Sequence, residues 1–518
     1  MARGAQPISR WPGIVAAVLI VAAVLAAFVA IFWRAEAGTG LRAAEWQAIR
    51  FTLWQAFFSA LISVVLAVPV ARALARRRLP GHTLLITLLG APFILPVIVA
   101  VMGLLTIFGR NGWLNAVLGA LGLPEVSIYG AHGVVLAHVF FNMPLATRLI
   151  LQGWQAVPAE RFRLVGQLGL PPRVVFRTVE WPILRQVVPG AFALIFVLCL
   201  TSFAVALTLG GGPRATTIEL AIYQAFRFDF DLNRAAVLSL LQLCVAGSAA
   251  LVALWVLPPL AVQGGQDRPL QRWDGKGALI RSADMLWIGA GAMFLLSPLL
   301  SVLLSGLIGL GQLPLSVWAA AWTSLWIAVL STFMLLILAL PLTAWLALSK
   351  RGGGEGITML GLAASPLMIG TGWFILIYPF ADPQALALPI TAIVNALMAL
   401  PFAVRILLPP LRQAVTDHGR LSAALGLRGL AMWRIVLVPR IRRPLGFAAG
   451  LTAALSVGDL GVIALFADPD VATLPLQMYR LMGSYRTDAA AGAALVLLAL
   501  ALAVFWLCDA WGRRDVAG

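Results

Sequence analysis

The chain of 518 residues is 61% hydrophobic and 11% charged, with a mean hydropathy of +0.95. That is far more apolar surface than a water-soluble domain carries, so a soluble enzyme is excluded and an integral membrane protein is indicated. The net charge of +17 would suit nucleic acid, but the basic residues are dispersed in short clusters between apolar runs, which is the pattern of membrane loops and excludes a nucleic-acid partner.

Apolar runs of about 20 residues, the length that crosses a bilayer as a helix, predict spans near 12–33, 51–72, 84–107, 131–152, 187–209 and 235–257. A second set follows near 284–308, 318–348, 357–380, 388–409, 444–466 and 488–510. The run from Trp11 to Trp33 follows Arg3 and Arg10 and precedes Ala35-Glu36-Ala37, as in a signal peptide. It exceeds the signal core of about 7–15 residues, so it is read as an uncleaved first span. Twelve spans place both termini on one side. Arg76 to Arg78, Arg161 to Arg185, Arg268 to Arg281, Lys350 and Arg351, Arg412 to Arg443, and Arg513 and Arg514 fall in one set of loops. The alternate loops hold Glu36, Glu45, Glu125, Asp229, Asp231, Asp382, Asp468 and Asp470. The positive-inside rule then makes both termini cytoplasmic. Cys199, Cys244 and Cys508 lie inside apolar runs without metal-ligand spacing and read as small core residues.

The spans are duplicated. With a shift of 257 positions (420 − 163), Pro144 matches Pro401, Arg148 Arg405, Gly169 Gly426, Pro182 Pro439, Thr216 Thr473 and Asp231 Asp488. Further upstream the shift is 272 (326 − 54), pairing Trp54 with Trp326, Ser59 with Ser331 and Pro69 with Pro341. The expectation is an all-α membrane protein with twelve transmembrane helices in two homologous six-helix halves, related by an axis along the membrane normal. The first half covers 1–258, a cytoplasmic linker 259–283, and the second half 284–518.

Each half contains one polar elbow, near 158–184 and 411–443. Arg163, Gly169, Arg177 and Pro182 in the first match Arg420, Gly426, Arg434 and Pro439 in the second. A mid-run glycine can take positive φ and stop one short helix, while the later proline pre-sets φ for the next. Val174, Val175 and Val179, or Leu430, Trp433 and Val436, then form an apolar face ringed by arginines, suited to a membrane surface or a partner's groove.

No phosphate-binding loop is present, because Gly275-Lys276 lacks the preceding glycine and the following Ser or Thr. The four histidines form no cluster and no catalytic arrangement is seen, so neither an enzyme nor a cofactor or metal site is expected. Asp459 lies inside an apolar run, where a central charge costs about 2.5–3.5 kcal/mol, and must face a cavity or a partner. Its mate is Ser202, beside Thr201, and His138 (mate Asn395) and Asn142 pose the same question. They either line a path for a hydrophilic solute or join helices by hydrogen bonds. Trp373 is the aromatic candidate for the same lining. Pro92, Pro96, Pro144, Pro366 and Pro401 should bend their helices, lining a path or shaping the bundle. Gly446 and Gly450 form a small-xxx-small pair.

The elbows resemble the cytoplasmic Glu-Ala-Ala loop of ABC importer permeases, in which a glycine follows the triplet's acid by six residues and an apolar-x-Leu-Pro ending follows. Here the triplets read Arg163-Leu164-Val165 and Arg420-Leu421-Ser422, with arginine in place of the acid, and the endings Val179-Glu180-Trp181-Pro182 and Val436-Leu437-Val438-Pro439. The resemblance implies a fused, type I-like pair of permease domains in a bacterial inner membrane. It further implies coupling helices that enter a homodimeric ATPase, a periplasmic solute-binding protein on the opposite face, and inward- and outward-open states exchanged on ATP binding. Val139 to Pro144 and Gly210 to Ala225 look most like the thiamine importer branch, and ferric-iron importer permeases are the nearest alternative. An ion-coupled secondary transporter, usually built from inverted repeats, fits the same-sense duplication less well.

Overall fold

The computed structural model describes residues 9–35, 40–77, 79–90, 92, 94–157, 159–256, 277–349, 364–466 and 471–513, and among them every regular element is helical. The chain runs α1 (Trp11–Arg34), α2 (Ala43–Arg76), α3 (His82–Leu88), α4 (Val97–Phe108), α5 (Trp113–Ala120), α6 (Ala131–Gln155), α7 (Ala159–Gln167) and α8 (Pro172–Val175). It continues through α9 (Trp181–Leu200), α10 (Ala204–Leu209), α11 (Ile218–Arg227) and α12 (Leu232–Val256). After residue 276 come α13 (Ala278–Gly309), α14 (Leu315–Leu348), α15 (Pro366–Ile377), α16 (Ala387–Ala424) and α17 (Gly429–Met432). The last elements are α18 (Val438–Val457), α19 (Gly461–Phe466), α20 (Leu474–Gly483) and α21 (Thr487–Arg513).

Helix lengths repeat along the chain. Helices α2 and α14 each hold 34 residues, α4 and α15 hold 12, α9 and α18 hold 20, and α11 and α20 hold 10. Tertiary hydrogen bonds repeat with them. The Thr52 hydroxyl accepts from the Ile218 backbone N–H at 2.9 Å, and that of Ser324 from the Leu474 N–H at 2.8 Å, fastening α11 to α2 and α20 to α14.

Eleven stretches of the described residues are long and apolar enough to cross a membrane, against the twelve expected. The remaining one, expected at 357–380, is described only from Ala364 onward, where it holds α15. The linker expected at 259–283 lies outside the described residues up to Lys276.

Several expected spans are interrupted. The span expected at 84–107 is split into α3 and α4, because Pro96 lacks a backbone N–H and takes ψ 134°, capping α4 rather than bending a continuous helix. Pro366 likewise starts α15. Helix α9 ends before Thr201-Ser202-Phe203 and α18 before Gly458-Asp459-Leu460. Pro144 and Pro401, in contrast, stay inside α6 and α16.

The first helix of each repeat packs across the molecule. Helix α1 lies along α14 and α15, and α13 lies along α4, α2 and α21. Glycines allow the approach: a Cβ on Gly372 of α15 would fall 2.5 Å from the Ala27 carbonyl oxygen, and one on Gly103 of α4 would fall 2.4 Å from that of Pro298. Gly446 and Gly450 do the same for α18 against α21, where a Cβ would lie 2.5 Å from the Cys508 oxygen and 2.8 Å from that of Phe505. In lipid, where apolar side chains gain little by leaving hydrocarbon, such close backbone contact is a main source of helix association.

Candidate functional site

A cavity of about 350 Å³ lies where the interrupted helices meet. Its wall takes Leu95, Pro96 and Val97 at the start of α4, Thr201, Ser202 and Phe203 after α9, and Pro366 and Leu367 at the start of α15. Asn395 and Phe402 of α16 and Gly458, Asp459 and Leu460 after α18 complete it. Each break ends a helix inside the bundle, so backbone N–H and C=O groups without helical partners collect around the space. Side chains satisfy part of that demand. Ser365 accepts from the Met368 N–H at 3.1 Å at the start of α15, and one Asp459 oxygen accepts from the Gly461 N–H at 3.2 Å at the start of α19. The other Asp459 oxygen, Oδ2, is buried without a hydrogen-bond partner among the described residues. A cavity wall that holds one carboxylate and the rings of Phe203 and Phe402 can give a cation both a counter-charge and π faces.

The sequence-predicted polar residues divide into two groups. Ser202 and Asp459 line the cavity together with Asn395. His138 and Asn142 do not; they are buried at the crossing of α2, α6 and α9. The His138 ring nitrogen lies 3.3 Å from the Ser59 hydroxyl, while the Asn142 amide donates to the His138 carbonyl at 2.8 Å and to the Cys199 sulfur at 3.4 Å. The matching crossing of α14, α16 and α18 holds Ser331, Asn395 and Ser456, whose side chains are linked at 2.9 and 3.0 Å. In the first repeat this network is interhelical; in the second, Asn395 and Ser456 also reach the cavity wall. Trp373 of α15 packs against the main apolar core, outside the cavity wall, and its buried indole N–H has no partner among the described residues. Phe203 and Phe402 have no signature in the sequence, because an aromatic residue within an apolar run looks like any lipid-facing or core residue.

At the arginine-rich end, the two elbows have the same build. Gly169 and Gly426 take φ of +61° and +70°, and a Cβ on either would meet nothing within 4 Å. The glycines therefore serve the turn rather than a close contact. The expected junction at the prolines is not found. The second arm begins at Pro172 or Gly429, and Pro182 and Pro439 sit inside continuous helix immediately after π-helical turns at Phe176–Glu180 and Trp433–Leu437. A proline has no N–H for the carbonyl four residues back, and in both copies the N–H just before it reaches five residues back, Trp181 to Phe176 and Val438 to Trp433.

Of the residues expected as a docking face, Val175, Val179 and Val436 are buried and Trp433 half-buried, while Val174 and Leu430 are 36% and 84% exposed. Val175 and Val179 pack with Phe162 and Val165, and Val436 packs with Met432, Leu437 and Ile441. Beside Val174 and Leu430 the outer surface shows Arg163, Arg177, Arg420 and Arg434, with two matched leucine pairs. Leu164 and Leu168 are 58% and 63% exposed, and Leu421 and Leu425 are 58% and 66% exposed.

No family model matches the chain. Among characterised relatives, it is 41% identical to the thiamine transport system permease protein ThiP of Escherichia coli (strain K12), an alignment covering 100% of this chain and 99% of that protein. It is 41% identical to ThiP of Brucella abortus (strain 2308) over 90% of this chain and 87% of the relative. Identity to ThiP of Haemophilus influenzae is 34%, covering 90% and 89%. With interrupted membrane helices around a central cavity and kinship along essentially its whole length, the chain belongs to the thiamine transport system permease protein family of ABC importers.

Proposed function

We propose that this chain is the membrane-spanning subunit through which thiamine or a thiamine phosphate is imported. The cavity bounded by both repeats holds the solute in transit, and the Asp459 carboxylate faces its positively charged ring. The observation that carries this reading is the unpartnered Asp459 oxygen in the cavity wall, taken with relatives named for thiamine transport. Phe203 and Phe402 supply ring faces, while Ser202 and Asn395 supply hydrogen bonds. The arginine-rich end faces the cytoplasm, where the paired elbows, through Leu164, Leu168, Leu421 and Leu425 and the neighbouring arginines, seat in a separate pair of ATPase subunits. A solute-binding protein delivers cargo to the opposite face, and ATP-driven closure of the ATPases alternates access to the cavity. Catalysis of ATP hydrolysis belongs to those partners, and this chain performs none.

The test is uptake of labelled thiamine into proteoliposomes containing the full complex. Asp459→Asn keeps the shape and removes the charge, and should lower uptake by roughly tenfold or more, the scale of one lost charge-assisted contact, with the complex still assembled. Wild-type uptake by Asp459→Asn would overturn the assignment.

A further inference from the structure

The two elbows have the same shape, but different chemistry holds them to the bundle. In the first, Glu180 of the π-helical turn is fully buried and receives the Arg72 guanidinium of α2, with Nε at 2.8 Å and Nη2 at 2.7 Å from one carboxylate oxygen. The same guanidinium lies over the Phe176 ring, 4.9 Å from its centre. One turn further along α2, Arg77 donates to Asp284 of α13 at 2.8 Å, and Arg76 lies 3.6 Å from the other Asp284 oxygen. The end of α2 thus grips the first elbow on one side and the opening helix of the second repeat on the other.

None of these charges recurs in the second repeat. By the shifts of 272 and 257 positions, Arg72 corresponds to Ala344, Arg76 to Leu348, Arg77 to Ser349, Phe176 to Trp433 and Glu180 to Leu437. There Ala344 and Leu437 belong to one apolar cluster with Leu411, Met432, Val436 and Ile441. An apolar contact adapts to sliding, whereas an ion pair with two guanidinium N–H groups on one carboxylate oxygen out of water has a narrow range of good geometry and a large penalty for separation.

We propose that Arg72, Arg76 and Arg77 form a one-sided charged clasp through Glu180 and Asp284, which makes the first elbow move as a rigid body with α2 and α13, while at the matching positions the second elbow meets α14 through apolar side chains. Arg72 and Glu180 are positioning residues: they touch neither solute nor nucleotide. The clasp deepens the coupling role proposed above and rests on it for its effect on transport.

Hydrogen–deuterium exchange and uptake, both measured on the complete complex in lipid nanodiscs or proteoliposomes, test it. Glu180→Gln should speed amide exchange across 159–180 by at least about tenfold without a matching change across 416–437, and should lower thiamine moved per ATP hydrolysed several-fold. The double variant Arg72→Met with Glu180→Leu, which gives the first repeat the apolar chemistry of the second, should restore both readouts to within about threefold of wild type. Unchanged exchange in Glu180→Gln, or a double variant as impaired as the single, would overturn the clasp. Faster exchange with undiminished transport per ATP would leave the clasp standing and refute the coupling role of the first elbow.

Discussion

Glu219 is a fully buried acid on α11, a helix outside the apolar spans. Burial pushes its carboxyl from 4.5 up to about 8, against the smaller opposing pull of hydrogen bonds from Ser365 and Gln242. Because the folded protein holds a proton that the unfolded chain releases from 4.5 upward, the sign is fixed: stability is lost as pH rises from the unfolded value through the folded one. Glu219→Gln keeps an oxygen to accept from the Gln242 amide and carries no charge to bury. Its thermal unfolding midpoint in detergent should therefore exceed the parent's at roughly pH 8.5, and the gap should close near pH 5. An offset that does not vary with pH would show that the burial of charge is not what matters. The same single-residue logic made Asp459 readable from sequence, since a charge in an apolar run needs a cavity or a partner, and Ser202 followed only as its mate in the duplication. It could not separate them from His138 and Asn142, whose partners Ser59 and Cys199 come from other helices.

The elbows show how much of an element local sequence specifies. The glycine spacing told where the chain must turn, and Gly169 and Gly426 do take positive φ. The prolines told only that a helical hydrogen bond was missing; a π-helical turn, a kink and a new helix start would each absorb that loss, and the local sequence does not choose among them. Since a Cβ at either glycine meets open space, the cost of substitution comes from φ itself, about 1–2 kcal/mol for an ordinary residue and more for a β-branched one. Gly169→Val and Gly426→Val should each leave the protein inserted and able to bind the ATPases, but lower uptake relative to ATP hydrolysis by about tenfold. Alanine at the same sites should be milder. Normal coupling in both valine variants, measured in proteoliposomes, would remove the elbows from the force path. The split of the expected 84–107 span was half visible: Pro92 and Pro96 marked a disturbance, but a bend and a break look alike until packing is known.

At the scale of the molecule, the duplication was plain in sequence and the exchange of first helices was not, because a lipid-compatible run such as Trp11–Arg34 does not name its neighbour. The contact is decided by small residues on the partner, Gly372 facing Ala27 and Gly103 facing Pro298, which acquire meaning only once the helices are placed. The exchange makes the two repeats interdependent. Without residues beyond 258, α1 loses α14 and α15 and keeps only α12 among its main neighbours; without residues before 259, α13 loses α4 and α2. Each repeat alone would leave close-packing glycine faces open to lipid, where no water-driven force compensates for the lost contact. Expression of 1–258 or 259–518 alone should therefore yield aggregated or rapidly degraded protein. Co-expression of the two pieces should give a co-purifying pair with substantial uptake activity, since the break between Pro258 and Pro259 falls outside the apolar spans expected at 235–257 and 284–308. Gly372→Leu should abolish that co-purification in the split pair, where association is bimolecular, while lowering the yield of the intact chain less, because the covalent link holds α1 and α15 at high effective concentration. A stable, monodisperse 1–258 fragment would show that the exchange of first helices contributes little to the fold.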